Sequence, residues 1–451
     1  MSKTRKSRRR RTAPQTFRDC LSQFLTPAVW KQAHHRRGVV RTGTRWTVQH
    51  LVLVALFSTW GCGDSQEERF DAARVSAIAY LPKRRRPGRT VAGYQKALGG
   101  CPVAVLRVVV AGVRQRIAAV FGERLEVDGF VPIGCDGSRL ECPRSRELEA
   151  CLGQAGKTGS APTVWVTALV HLRHGLLWGW RLGRGTASER HHLLHLIPLL
   201  PALTLLVADA GYVGYEVARA LLGSRKSFLI RMSSAVNLSV DRVVPMDRFR
   251  EGLVYYWPNK IAAQGLPALR LRLIRIRARR VKNDVWLLTN VLDAERLSVK
   301  QAGQFYRWRW ENEGLFRTDK RTLAKVKLVS RTVRLVHREA ESSLLAVQLL
   351  LAQGAAALRP ASGTGEPAVS SARQVLREIR REMRAAQARR MRTGFRERLA
   401  QATRERRSRT SAKSSRVWPR RTPHTAPKPP QLLRLTKSQK ARIERLESDS
   451  V

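Results

Sequence analysis

The chain has 451 residues, 43% of them hydrophobic, which is enough for more than one domain with a sizeable buried core. Its 85 Lys and Arg stand against 34 Asp and Glu, a formal charge of +51 at pH 7, so the compact state repels itself unless a polyanion supplies counter-charge. That balance points to a nucleic-acid partner; the excess of Arg (68) over Lys (17) suits phosphate oxygens, although a GC-rich coding sequence would also enrich Arg.

Met1 to Thr12 carries seven Lys or Arg and no acid, so 1–12 is expected to be a disordered basic arm. Residues 13–124 have apolar positions at three and four spacings (Leu21, Phe24, Leu25; Val52, Leu53, Leu56; Ala73, Ile78) and are expected to form a helical N-terminal DNA-binding domain. The run Lys83 to Arg89, with Pro87-Gly88 inside it, is either a solvated loop or one that contacts phosphate.

From about Leu125 the period changes. Phe130 to Cys135, Thr163 to Leu172, Leu176 to Leu182, Leu203 to Ala208 and Ser227 to Met232 read as strands, with helices near Glu189 to Leu196 and Val213 to Leu222. The fold class is therefore α/β, a mixed sheet with flanking helices, whose first part is 125–234. Residues 235–290 are expected to add strands. In Leu269 to Arg280 apolar residues alternate with Arg and the alternation slips at Leu273-Ile274, so a β-bulge is expected there. Arg270 and Arg272, or Arg275, Arg277 and Arg279, would line one face of that ribbon, turned either to solvent or to DNA. Residues 291–358 return to helical spacing, and 359–451 read as a linker followed by a basic, partly helical tail with a Pro-rich stretch from Pro419 to Pro430.

No apolar run reaches the roughly 20 residues that cross a bilayer, and no secretory segment is apparent, so a cytoplasmic, nucleoid-associated protein is expected without membrane contact. Six cysteines without a Cys-x-x-Cys pair read as reduced thiols. His191, His192 and His195 have helical spacing but no supporting carboxylate or Cys, so a solvated helix face is favoured over a metal site. No Walker loop and no Gly-x-Ser-x-Gly elbow supports an ATPase or a serine hydrolase.

Metal-assisted phosphoryl transfer needs hard oxygen ligands on rigid elements. Asp136 follows one apolar strand and precedes Gly137-Ser138; Asp209 follows another and precedes Ala210-Gly211-Tyr212. Each alone could equally be a turn or N-cap residue. The more specific signal is Tyr306, Arg309, Glu313 and Lys320, whose offsets of 3, 7 and 14 place a phenol, a guanidinium, a carboxylate and an ammonium on one helix face. Tyr306, Trp308, Trp310 and Phe316 read as buried aromatics beside it.

The pattern Tyr-x2-Arg-x3-Glu-x6-Lys resembles the signature of bacterial insertion-sequence transposases of the DDE type, in the branch called insertion-sequence family four. Asp136-Gly137-Ser138 is similar to that family's first motif and Asp209-Ala210-Gly211-Tyr212 to its second, with Ala210 in place of a frequent Arg. The resemblance implies a ribonuclease H-like catalytic core with a β-strand insertion between the second Asp and the Glu. It implies a triad of Asp136, Asp209 and Glu313 holding two Mg²⁺ or Mn²⁺ ions, and strand cleavage and strand transfer at terminal inverted repeats. Tyr306, Arg309 and Lys320 would then hold DNA phosphates, and Trp286 would stack a flipped base, unless it fills the core. The implied partners are double-stranded transposon ends and target DNA, with a homodimer in the DNA complex. A DNA-binding descendant that has lost catalysis is the alternative.

Overall fold

The structure, a computed structural model, describes residues 16–37, 44–81, 86–154, 159–277, 284–358, 369–388, 394–401 and 429–448. The basic arm at 1–12, Lys83 to Arg85, Arg279, the linker 359–368 and most of the Pro-rich tail lie outside the described residues.

Six helices come first: α1 (Phe17–Ser22), α2 (Pro27–Arg37), α3 (Val48–Trp60), α4 (Gln66–Tyr80), α5 (Val91–Gly100) and α6 (Val103–Phe121). Short polar caps start them. Thr47 Oγ1 accepts the His50 N–H at the head of α3, and Ser65 and Glu68 form a capping box on α4. α3 is apolar all round and is accordingly the buried helix of this unit.

The sheet follows, in the chain order β1 (Val131–Glu141), α7 (Arg146–Leu152), β2 (Thr163–His171), β3 (Leu176–Arg184), α8 (Glu189–Leu196), β4 (Thr204–Ala208), α9 (Tyr215–Gly223), β5 (Ser227–Arg231), β6 (Asn237–Val240), β7 (Glu251–Tyr256), α10 (Asn259–Ala263), β8 (Leu269–Ile276) and β9 (Val285–Thr289). Then come α11 (Val299–Trp308), α12 (Glu311–Arg317), a π-helical turn at Thr318–Thr322, α13 (Val333–Ala357), α14 (Ala372–Gln387), α15 (Phe395–Ala400), β10 (Gln431–Arg434) and α16 (Lys437–Ser448). One 10-stranded sheet has the order β10-β6-β7-β8-β9-β5-β4-β1-β2-β3. β1, β2 and β3 form an antiparallel meander, whereas β4 and β5 run parallel to β1. The strands from 237 to 289 extend this same sheet beyond β5 instead of forming a separate layer.

The chain folds into two compact units. One gathers the described residues of Met1–Val120, Arg338–Ser362 and Ser370–Arg404; the other gathers those of Phe121–His337, Gly363–Val369 and Glu405–Val451. This differs from the sequence division, which placed all of 291–358 with the core and began a tail at 359. The α14 and α15 region joins the first unit: Arg380 Nε donates to Trp60 O at 2.7 Å, and the Phe395 ring meets Phe17 edge-on at 5.1 Å. β10 and α16 return to the sheet, where Leu435 and Ile443 cover Trp257.

Two local expectations are corrected. β8 has no bulge: its register with β7 and β9 is continuous through Leu273 and Ile274. The alternation breaks in sequence because Arg272 and Ile274 share a buried face, so an Arg occupies a core position. Asp136 does not end its strand either, since β1 runs on to Glu141 by pairing with β2 after β4 has stopped.

Among the described residues no single helix is long and apolar enough to cross a membrane.

Candidate active site

The site is built where β4 ends beside β1. The last parallel pair is Cys135 with Ala208, so Asp136 and Asp209 each stand one residue beyond it, on backbones about 4.8 Å apart. Leu205 and Val207 pack with Phe305 and Trp308 of α11, and a strand's period of two carries Asp209 to that same face. Gly134 lies against Asn312 of α12: a Cβ there would sit 2.6 Å from Asn312 Oδ1. Asp136, two residues on, therefore faces α12, where Glu313 follows Asn312.

Asp136 is half-buried, and its Oδ1 accepts the Gly137 N–H at 2.8 Å. Burial pushes its carboxyl above the ordinary range; the Gly137 N–H and the Arg309 charge pull it back, and the charges of Asp209 and Glu313 push it up again. Asp136 thus senses both other members of the predicted triad. Asp209 accepts the Ala210 N–H at 2.9 Å and a long 3.4 Å contact from Tyr306 Oη, with Arg231 Nη1 at 3.6 Å and Arg309 Nη1 at 3.7 Å. Burial, then the Asp209 charge, raises the Tyr306 hydroxyl. Lys320 Nζ donates to Ser138 Oγ at 2.7 Å, and burial lowers the ammonium. Glu313 is exposed on α12.

The segment from 306 to 320 is not the single helix expected. α11 stops at Trp308, α12 starts at Glu311, and the π-helical turn carries Lys320. The dihedrals at Arg309 and Trp310 stay in the right-handed region (φ −50°, ψ −27° and φ −59°, ψ −13°), so the chain steps sideways without reversing. Tyr306 and Arg309 still reach Asp209, and Lys320 reaches the strand that bears Asp136. The step leaves Trp308 Nε1, Arg309 Nε and both amide atoms of Asn312 buried without a hydrogen-bond partner, a concentration of unmet polar groups that a core helix would avoid. Trp310 is corrected outright: it is 58% exposed, with the Arg309 guanidinium 5.5 Å from its ring.

The β-ribbon residues divide. Arg272 is 3% exposed, paired with Glu251 and donating Nη1 to Leu297 O at 2.8 Å; it braces β7, β8 and the start of α11 and does not face DNA. Arg275 Nε donates to Asp284 Oδ2 at 2.6 Å, and its guanidinium lies 5.4 Å from the Trp286 ring. Trp286 is 6% exposed against Phe249, so in this structure it fills the core. Arg270 is exposed, and Arg277 is exposed with Nη2 on Asp247 O at 3.2 Å.

Residues beyond those expected also enter. A cavity is lined by Asp136, Glu189, Asp209, Tyr212 and Arg231, among others. Arg231 ends β5, the third parallel strand, and a rule that ligands gather at the carboxyl ends of parallel strands would have found it. Glu189 had no local signal beyond its place at a helix start.

A hard divalent cation suits this donor set in kind, because the cavity offers the carboxylate oxygens of Asp136, Glu189 and Asp209. The donors surround the space without yet closing on one point: among the described residues no three His, Cys, Asp or Glu side chains are grouped to hold a metal ion. Asp209 is instead occupied by Arg231, Arg309 and Tyr306.

A family model described as the transposase DDE domain matches residues 135–349, a stretch that contains Asp136, Asp209 and Glu313. Among solved structures, a cryo-EM structure of a piggyBac transposase synaptic complex with hairpin DNA is similar at 12% identity and a TM-score of 0.40, covering 82% of this chain and 80% of that one. No curated protein matches the chain.

Proposed function

We propose that the chain is a DDE-type transposase of the insertion-sequence family-four branch, which binds terminal inverted repeats and catalyses metal-dependent DNA strand cleavage and strand transfer. The observation that carries this reading is the placement of Asp136 and Asp209 side by side beyond one parallel strand pair, under the helix that bears Glu313, within the stretch that matches a transposase DDE domain. The meander β1-β2-β3 with parallel β4 and β5 supports a ribonuclease H-like core.

Asp136, Asp209 and Glu313 would hold Mg²⁺ or Mn²⁺, which when bound supplies charge for activating a water or 3′-hydroxyl and for stabilising the leaving oxygen. Tyr306, Arg309, Lys320 and Arg231 serve the phosphates. In the DNA-free chain Arg231 and Arg309 neutralise Asp209, and a phosphate entering between them would take over those guanidinium contacts and leave the carboxylate available. Exposed Arg270 and Arg277 add backbone contacts farther out.

The test is incubation of the full chain with a duplex carrying the ends of its own element and flanking DNA, with Mg²⁺ or with EDTA. Mg²⁺-dependent nicking at the junction is the expected result. DNA binding without nicking would favour the descendant that has lost catalysis.

Two further outcomes are expected. Affinity for linear duplex should drop by about 10³-fold or more between 50 and 200 mM salt, because each neutralised phosphate releases counterions. A gel-shift series across that range checks it, and a flat response refutes phosphate-dominated binding. Arg309→Ala should slow cleavage by about 10- to 100-fold, the worth of a charged hydrogen bond of about 1.5 to 3 kcal/mol. Mn²⁺ binding should not weaken in that variant, since Asp209 loses a competing cation; loss of metal binding would contradict the phosphate role.

A further inference from the structure

α14 keeps its two acids inside and its arginines outside. Val375, Leu376, Ile379 and Met383 are turned into the first unit, and Glu378 and Glu382 lie among them, 5% and 7% exposed. The exposed residues of the helix are Arg373, Arg377, Arg381, Arg384 and Gln387. At about 100° per residue the four arginines fall within an arc of about 80°, and at about 1.5 Å per residue they form a row about 16 Å long. No acid of the helix shares that face.

Such a row works against the helix that carries it. Arg373 and Arg377, and Arg377 and Arg381, are four apart, and like charges at that spacing repel. A helix face that serves solubility alone mixes both signs, as α16 does with Arg442, Glu444 and Arg445. In α14 the acids instead serve the interior: Glu378 accepts from Arg381 Nη1 at 2.7 Å, and Glu382 pairs with Arg398 of α15. Arg373 and Arg384 make no hydrogen bond or ion pair among the described residues. The row is also held still. Arg380 on its flank donates Nε to Trp60 O at 2.7 Å and Nη2 to Gly61 O at 3.2 Å, at the end of α3, while Arg398 Nε lies 3.5 Å from Glu378 Oε2. A helix fixed in this way avoids the ordering cost that a free basic tail meets on binding.

We propose that this face of α14 binds the sugar-phosphate backbone of duplex DNA without regard to base sequence. A duplex presents one phosphate per about 3.4 Å of axis on each strand, so a row about 16 Å long passes several of them. Arginine forks suit phosphate oxygens, and contacts to phosphate carry no base information. The choice of duplex DNA as occupant rests on the transposase reading above. The row adds a second binding surface to it, in the first unit and outside the matched stretch 135–349.

Equilibrium binding of the full chain to a duplex of unrelated sequence, followed by fluorescence anisotropy across a salt series, tests this. Wild type is compared with Arg373→Gln/Arg377→Gln/Arg384→Gln, with Arg373→Lys/Arg377→Lys/Arg384→Lys, and with Arg146→Gln/Arg219→Gln/Arg334→Gln, which removes equal charge from exposed positions elsewhere. Arg381 is kept because it holds Glu378. Gln has nearly the helix propensity of Arg, and relief of repulsion should leave Tm no lower than in wild type. The Gln variant of α14 is expected to lose about 2 to 3 from the slope of log affinity against log salt, about 0.9 for each phosphate given up, and about 10-fold or more in affinity at about 0.1 M salt. The Lys variant should keep the wild-type slope, since it keeps the charge. A wild-type slope in the Gln variant, with or without a lower Tm, overturns the inference. An equal loss in the variant altered elsewhere also overturns it, since the effect would then be one of net charge. A loss on anionic phospholipid vesicles but not on duplex overturns it in favour of a membrane. Mg²⁺-dependent nicking by wild type, with an unaltered slope in the α14 variant, leaves the transposase reading standing; a wild type that binds no duplex removes both.

Discussion

Asp136→Asn, Asp209→Asn and Glu313→Gln are each expected to cut Mg²⁺-dependent cleavage of an end duplex by at least about 10⁴-fold, as removal of a group that acts within a catalytic unit does. Each exchange keeps the size of the side chain and removes its charge, so packing around β1, β4 and α12 is preserved. Duplex binding should survive, since it draws on many of the 85 basic residues and not on these three acids. Without metal, Asp209→Asn should be less stable than wild type, because it leaves Arg231 and the buried Arg309 without their carboxylate, whereas Asp136→Asn should be more stable, because burial and the neighbouring Asp209 and Glu313 already disfavour its charge. Cleavage assays beside gel shifts and thermal unfolding measure all three effects. Cleavage at the wild-type rate by any one variant would remove that residue from the triad.

Gly134→Ala is expected to reduce cleavage by about 100-fold without touching a charged group. Its Cβ would stand 2.6 Å from both Asn312 Oδ1 and Leu172 Cδ2 and 2.7 Å from Asn312 Nδ2. The Leu172 methyl can swing aside, but Asn312 is fully buried and can yield only if α12 moves outward. Glu313 then moves with it, and a displacement of about 1 Å at a reacting centre costs on the order of 10²-fold in rate. The overpacking itself should cost about 1 to 3 kcal/mol of stability. Adding Asn312→Ala removes the clashing amide, whose atoms have no partner to lose, and should restore much of the rate. If the single variant cleaves normally, the contact between β1 and α12 does not set the position of Glu313.

Which parts were readable beforehand follows from the range of each interaction. β5 and α8 lie where the period placed them, because apolar spacing is set by residues a few positions apart. The spacing of Tyr306, Arg309, Glu313 and Lys320 was equally visible, although the helix is broken inside it. The environment of each side chain was not visible. Arg272 and exposed Arg270 look alike in the alternating ribbon, yet one closes an ion pair with Glu251 on the neighbouring strand. Of the two places open to Trp286 the structure takes the core, because β9 lies inside the sheet between β8 and β5, and Trp310 leaves its expected buried place because the step after α11 turns it outward.

The sequence by itself determined the elements, the charge that calls for a polyanion, and the acids standing after apolar strands, since all of these depend on local order or on sums over the chain. Only the tertiary structure decided that Asp136 and Asp209 are neighbours, that Arg231 and Arg309 sit on Asp209, and that Glu189 lines the same cavity. Those facts follow from strand order and register, in which β4 lies beside β1 and stops at its fifth residue. Pairing between segments some 70 residues apart is chosen by burial of whole faces against one another, and no stretch of a few residues carries that information.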